Sequence, residues 1–277
     1  VHAFLELTKD AAFEQAAKID EALANGTFDE IGPLAGVPVA FKDNMNYEGT
    51  HTTCSSLMLE NYVSPYTATC VAKTIEAGGI PLGKLNMDEF AMGSSTENSY
   101  YKITRNPRNL DCVPGGSSGG TGASIACNIG IIGLGTDTIN SVRSPSSANS
   151  LVGIRPTIGL VSRAGIVPYS LTQDTAGPIC RTVEDAVRCL DVIKGYDPDD
   201  AETAWSVGHE ECYMDHLNVD GMKGRRIGVL ESLFGKEEIN ESTNKVVRNA
   251  LKVFEENGAT LVPVTDNIDQ PWLTSEV

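Results

Sequence analysis

Apolar positions along the chain follow two rhythms. From Asp10 to Ala24 they recur three and four residues apart, with Ala12, Ala16, Ile19 and Leu23 on one face. That spacing predicts an amphipathic helix, and Asn25-Gly26 supplies its stop. Ala68 to Ala77, closed by Gly78-Gly79, predicts a second helix, and Ile80 to Gly83 the strand after it. The clearest helix is Thr182 to Lys194. Its stripe is Val183, Ala186, Val187, Leu190 and Ile193, Thr182 with Asp185 resembles a capping box, and Gly195 ends it. Val37 to Lys42 reads as a short strand entered through a turn at Gly32-Pro33. Arg226 to Leu230, Asn244 to Glu256 (closed by Gly258) and Thr260 to Val264 predict a strand–helix–strand unit, and therefore a parallel pair.

Between these elements lies the stretch that organises the chain, Val113 to Pro156. Gly115 to Gly120 (GGSSGG) is followed at once by the small, helix-compatible residues Ala123 to Asn128. Ile129 to Leu134 then reads as a buried strand, apolar on both faces and thinned by glycine. A strand there delivers Gly135 to Ser141 to its C-terminal end, where open α/β sheets place their ligands. The loops carrying Ser117 and Ser141 are thus expected to converge at one sheet edge. Asn86 to Tyr101 is a polar loop with one helical turn, and Ile154 to Pro168 carries turn and short-strand signals. Residues 196 to 222 read as a long surface excursion. No internal repeat is present.

Composition narrows the function. A chain of 277 residues can bury one large or two modest domains. A formal charge of −16 argues against nucleic-acid binding by the chain's own surface, because phosphate binding is electrostatically driven. No apolar run is long enough to span a bilayer, and no signal-peptide pattern is present. The seven cysteines are scattered, odd in number and without a C-x-x-C pair, which argues against a zinc site and a disulfide framework. Cys127 and Cys189 fall on apolar faces. A reducing compartment, and so a cytoplasmic protein without metal or cofactor, is the expectation.

Two chemistries fit the glycine-rich centre. A Gly-rich loop before a helix can bind phosphate, but Gly120-Thr121 lacks the P-loop lysine. Gly133-x-Gly135 lacks the third glycine and the downstream acid of a dinucleotide site. Nucleophilic serine chemistry fits better, since serines in glycine-rich turns lie close to backbone N–H groups. A base is needed. His2, His51, His209 and His216 all lie outside motif-like settings near the centre, and Gly-x-Ser-x-Gly is absent. Lys42, ending an apolar strand, is the remaining choice. Desolvation would lower its pKa and let it accept a proton near neutrality. From the strand alone the alternative stays open that Lys42 simply reaches solvent.

The motifs themselves carry a resemblance. GGSSGGTGA at 115–123, GTDTINSVRSP at 135–145 and GIRPT at 153–157 resemble the amidase signature family. So do GPLAGVPVAFKD at 32–43, GKLNMDEFAMGSSTENS at 83–99 and the long run at 162–186. The resemblance implies a mixed, largely parallel α/β sheet with helices on both faces. It places an amidase signature domain over 1–277, its core about 32–195 and a βαβ unit about 224–265, and implies that this is the N-terminal portion of a longer fold. It further implies a Ser–cis-Ser–Lys triad, with Ser141 as nucleophile, Ser117 as the bridging serine in a cis peptide with Gly116, and Lys42 as base. The N–H groups of Thr138, Ile139, Asn140 and Ser141 would hold the oxyanion. Ser118 and Asp137 would orient the triad and Arg143 would pair with a carboxylate, although structural roles for these three remain open. The implied substrate is a small-molecule or peptide amide, with no cofactor, no membrane, and a homodimer or amidotransferase partner subunits as company. Residues 83–99 look like the glutaminase subunit of the tRNA-dependent amidotransferase, and 162–185 like stand-alone amidases. One departure stands out: the family places Gly-Gly, or one Gly, before the nucleophile, and this chain has Ile139-Asn140. An impaired, scaffold-like variant is therefore a third reading.

Overall fold

The computed structural model describes residues 1–235 and 237–264. These fall into two compact units, Val1–Asp215 and the stretch from His216 onward. The first unit is built on a six-stranded sheet of β1 (Phe4–Leu7), β2 (Pro38–Lys42), β3 (Ile80–Leu85), β4 (Ile132–Asp137), β5 (Val152–Gly153) and β6 (Thr175–Cys180). Their spatial order is β1-β3-β2-β4-β6-β5. The sheet is mixed. The three central strands β3, β2 and β4 run parallel, while β1, β6 and β5 join antiparallel at the flanks.

Alternation along β2 sorts its side chains between two helical layers. Val39 and Phe41 face a core shared with Ile132, Leu134, Ala176 and Cys180 of the sheet. Covering that face are α2 (Thr69–Glu76), through Cys70 and Val71, and α5 (Val183–Ile193), through Ala186, Cys189, Leu190 and Ile193. Ala40 faces the other way, onto Ala123 of α3 (Gly119–Ala126), with Ala3 and Leu85. Helix α5 begins as its sequence predicts, the Thr182 hydroxyl accepting from the Asp185 amide at 3.0 Å. Its stripe is offset slightly: Val183 is exposed and Cys189 is buried instead. On α1 (Lys9–Asn25) the inward residues are Ile19 and Ala22, and Leu23 points to solvent. Cys127 is only half-buried.

The predicted helix 123–128 starts four residues early, inside the glycine run. Glycine is a poor helix former, so packing decides. A Cβ on Gly120 would lie 2.3 Å from the Asn86 carbonyl oxygen, and one on Gly133 of β4 would lie 2.4 Å from Cγ2 of Thr121. Only bare backbone lets α3 press this closely against the sheet. Gly120→Ala is therefore expected to destabilise the protein by about 1–3 kcal/mol or more, as overpacking does, and thermal unfolding checks it. The strand predicted at Ile129 to Leu134 starts late for a related reason. Helix α3 first has to turn, with Asn128 at φ 59, and Ile129 lies exposed in that turn before β4 begins.

Three elements carry no clear sequence rhythm: β1, β6 and the short helix α4 (Arg143–Ala148). The stretch after α5 is less loose than a surface excursion. Asp197 and Asp200 are buried there and accept from Thr69, Ser162 and Arg163. The second unit pairs β7 (Arg226–Leu230) with β8 (Thr260–Val264) in parallel, Arg226 opposite Thr260. The expected strand–helix–strand unit is thus present, with α6 (Glu237–Glu256) starting seven residues before its predicted bound. Residue 265, the last of that predicted unit, lies outside the described residues. Among the described residues no helix is long and apolar enough to cross a membrane.

Candidate active site

Parallel β2, β3 and β4 end at the same edge of the sheet. Their C-terminal loops therefore bring together Lys42, the 86–101 segment and the run 138–143. Lys42 is fully buried. Its ammonium nitrogen donates to the Ser117 hydroxyl at 2.7 Å and to Thr136 Oγ1 at 2.8 Å, with the Thr136 carbonyl 3.5 Å away. Asn44 Nδ2 also reaches Thr136 Oγ1, at 3.1 Å. The solvent-reaching alternative for Lys42 thus fails in this fold. Desolvation draws the Lys42 amine down from 10.5 to about 7, against the opposing charges of Asp88 and Asp137.

Ser117 sits in a cis peptide with Gly116. Ser118, the residue immediately before α3, ties the loop in two directions. Its hydroxyl donates to the Thr136 carbonyl at 3.2 Å, and its backbone N–H donates to the Ser141 carbonyl at 3.3 Å. The glycines of β4 make room for this: a Cβ on Gly135 would lie 2.8 Å from Ser118 Oγ. The backbones of the two serine loops are joined in this way. Among the described residues no hydrogen bond links the Ser117 and Ser141 hydroxyls themselves.

Asp137 holds the loop that presents Ser141. It is fully buried, and its carboxylate accepts from the Val142 and Arg143 amides at 3.0 and 3.3 Å, capping α4. The Arg143 guanidinium and Arg155 Nε each reach it at 3.2 Å. Burial works upward on this carboxyl, and the Arg143 guanidinium and Val142 amide outweigh it to hold the group below its ordinary value. Arg155 also donates to the Gln173 carbonyl at 3.0 Å. Next to Gln173, Asp174 accepts from the Thr138 hydroxyl and from the Tyr169 and Ser170 amides. Arg143 additionally meets the Ile139 carbonyl.

Ile139 is two-thirds exposed and Asn140 partly so. Neither takes a positive φ. The backbone before Ser141 therefore does not occupy the left-handed region that would demand glycine. A cavity of about 180 Å³ opens beside Thr136, bordered by Arg163, Ile166, Pro168, Leu171 and Asp174. Among the described residues no cluster of three or more histidine, cysteine or acidic side chains could hold a metal ion.

Of the residues singled out in the sequence, Lys42, Ser117, Ser118, Asp137, Ser141 and Arg143 all meet at this edge. Thr136, Asn44, Arg155 and Asp174 are additions. Thr136 and Arg155 lie within quoted motifs, but nothing in their spacing marks them as contacts of Lys42 and Asp137.

Comparison with known proteins supplies the lineage. The amidase family model matches residues 1–270. The chain is 46% identical over 265 residues to the A subunit of the glutamyl-tRNA(Gln) amidotransferase of Carboxydothermus hydrogenoformans, a match that covers 96% of this chain and 53% of that protein. The native peptide amidase of Stenotrophomonas maltophilia superposes with a TM-score of 0.87 at 35% identity, over 95% of this chain and 54% of its own. The corresponding amidotransferase protein from Thermotoga maritima gives a TM-score of 0.77 at 41% identity, over 85% and 51% respectively. The chain spans about half the length of the curated relatives it matches. With its sheet, its glycine-packed central helix and these matches together, it belongs to the amidase signature family.

Proposed function

We propose that this chain carries the catalytic residues of an amide hydrolase that works through an acyl-enzyme. The observation that carries the reading is the buried Lys42 amine, 2.7 Å from the Ser117 hydroxyl and half-deprotonated at about pH 7. Neutral Lys42 accepts the Ser117 proton while Ser117 takes the proton of Ser141. Ser141 Oγ then attacks the carboxamide carbon. The N–H groups of Thr138, Ile139, Asn140 and Ser141 are the oxyanion donors. As the C–N bond breaks, the proton returns through Ser117 to the leaving nitrogen. Water later cleaves the ester on Ser141, the same relay acting as its base. Ser118 and Asp137 keep the two serine loops in register, and Arg143 and Arg155 neutralise Asp137.

A second reading is favoured by the 46% identity to the amidotransferase protein of Carboxydothermus hydrogenoformans. In that case the amide is glutamine and partner subunits consume the ammonia. The two are separated by ammonia release from simple primary carboxamides and from glutamine, each with and without added amidotransferase partners. Release from a neutral carboxamide by the chain alone supports the hydrolase. Release confined to glutamine plus partners supports the amidotransferase role. No release under any condition, with folded protein, leaves only the scaffold reading motivated by Ile139-Asn140.

A further inference from the structure

We propose that Asp88 is the counter-ion of the transient Lys42 ammonium, a positioning residue acting through the Lys42–Ser117 pair. The inference rests on the proposed hydrolase reading. It starts from an anomaly in polar satisfaction. Asp88 is fully buried, yet among the described residues neither of its carboxylate oxygens closes a hydrogen bond. Buried carboxylates are almost always bonded or paired, so an open one needs a reason.

Its place supplies the reason. Asp88 follows β3 on the same sheet edge, and its backbone N–H donates to the Ser117 carbonyl at 3.2 Å. Its carboxylate lies beneath Gly116: a Cβ there would sit 2.1 Å from Oδ2. Glycine at 116 thus leaves the space that the carboxylate fills. The Thr96, Ser95 and Asn98 amides face it without closing bonds, and burial pushes its carboxyl up against their pull and that of Lys42.

The other ionisable groups facing Lys42 are already committed. From β4, Asp137 is bound by Arg143 and Arg155. Asp174 is taken by Thr138 and two amides. Asp43, next to Lys42 on the chain, pairs with the Lys84 ammonium at 3.2 Å. Cys54 is pushed up to about 12 by burial and is neutral. Among the described residues, Asp88 is the one carboxylate facing Lys42 that closes neither a side-chain hydrogen bond nor an ion pair. When a proton passes from Ser141 Oγ to Ser117 Oγ, and from Ser117 Oγ to Lys42 Nζ, the ammonium forms out of contact with water. Asp88 is the charge that stabilises the ammonium, and it sets the pH at which Lys42 gives its proton up.

The test compares wild type and Asp88→Asn by the rate of fluorophosphonate labelling of Ser141 across pH 5 to 9, with circular dichroism as the folding control. Removing the carboxylate disfavours the ammonium. The acid limb is expected to move about one to three units lower, and the plateau rate to fall about tenfold because the base is weaker. Probe affinity, read from saturation, stays unchanged. A purely structural Asp88 would lower the labelled fraction or weaken probe affinity without moving the limb. An unmoved limb in a folded variant overturns the inference. If Asp88→Asn does not fold, Asp88→Ser, which leaves room for water beneath Gly116, is read in the same way. Loss of folding in both variants makes Asp88 structural and also overturns it. A wild type that takes no label fails the hydrolase reading instead, so the two failures are distinct.

Discussion

Ser141→Ala is expected to abolish fluorophosphonate labelling and to lower amide hydrolysis by at least about 10⁴-fold, since removing one member of a linked nucleophile–base set costs nearly as much as removing all of it. The same substitution should barely touch stability. Ser141 is 5% exposed, and among the described residues its hydroxyl has no hydrogen bond to lose. The loop around it is held by other groups: the Ser141 carbonyl by the Ser118 amide, and residues 142 and 143 by Asp137. Thermal unfolding of wild type and variant should therefore coincide within roughly 0.5 kcal/mol, the range for changes away from such contacts. Retained labelling of Ser141→Ala would assign the reactive hydroxyl elsewhere and remove the proposed mechanism. A large fall in melting temperature would mean that lost activity reports folding.

How much of this was readable from sequence follows from the kind of force involved. Lys42 was legible because a charged residue at the end of an apolar strand violates the ordinary pattern, and only two outcomes could resolve it. Ser117 and Ser141 were legible because glycine runs mark places where backbone and substrate approach closely. The helix register around 115–128 was not. Its start is fixed by contacts with Asn86 and Ala3, more than 30 and 100 residues away in the chain, so local propensity gives the wrong first residue. Strand β6 was missed because its core face is lent by partners: Ala176 and Cys180 join a cluster that β2, β4 and α5 complete. Its small residues and internal proline carry no strand rhythm of their own. Asp88 was hidden for the opposite reason. In a polar loop an aspartate looks solvated, and only the fold removes its water and its partners.

Lys42→Met tests the proton relay and the electrostatics behind it in one variant. Methionine keeps most of the length and removes the base, so labelling and hydrolysis are expected to fall about 10²–10⁴-fold, the range for losing a positioned general base. In wild type the rate should rise with pH through about 7, because only the uncharged amine can accept the Ser117 proton. Stability carries a second signature, and its sign follows from linkage. The folded amine titrates near 7 and the unfolded one near 10.5. Below about pH 7 both states hold the proton and the cost of burying the charge is fully felt. Between about 7 and 10.5 the unfolded chain still binds a proton that the folded chain has released, so raising pH favours the folded state. Wild type should therefore gain on Lys42→Met across that window, by at most about 1.4 kcal/mol per pH unit. Denaturant unfolding of both proteins at pH 7, 8, 9 and 10 measures the difference directly. A difference that stays flat would mean that the amine at position 42 is charged in the folded state, and a permanently charged lysine cannot draw the proton from Ser117.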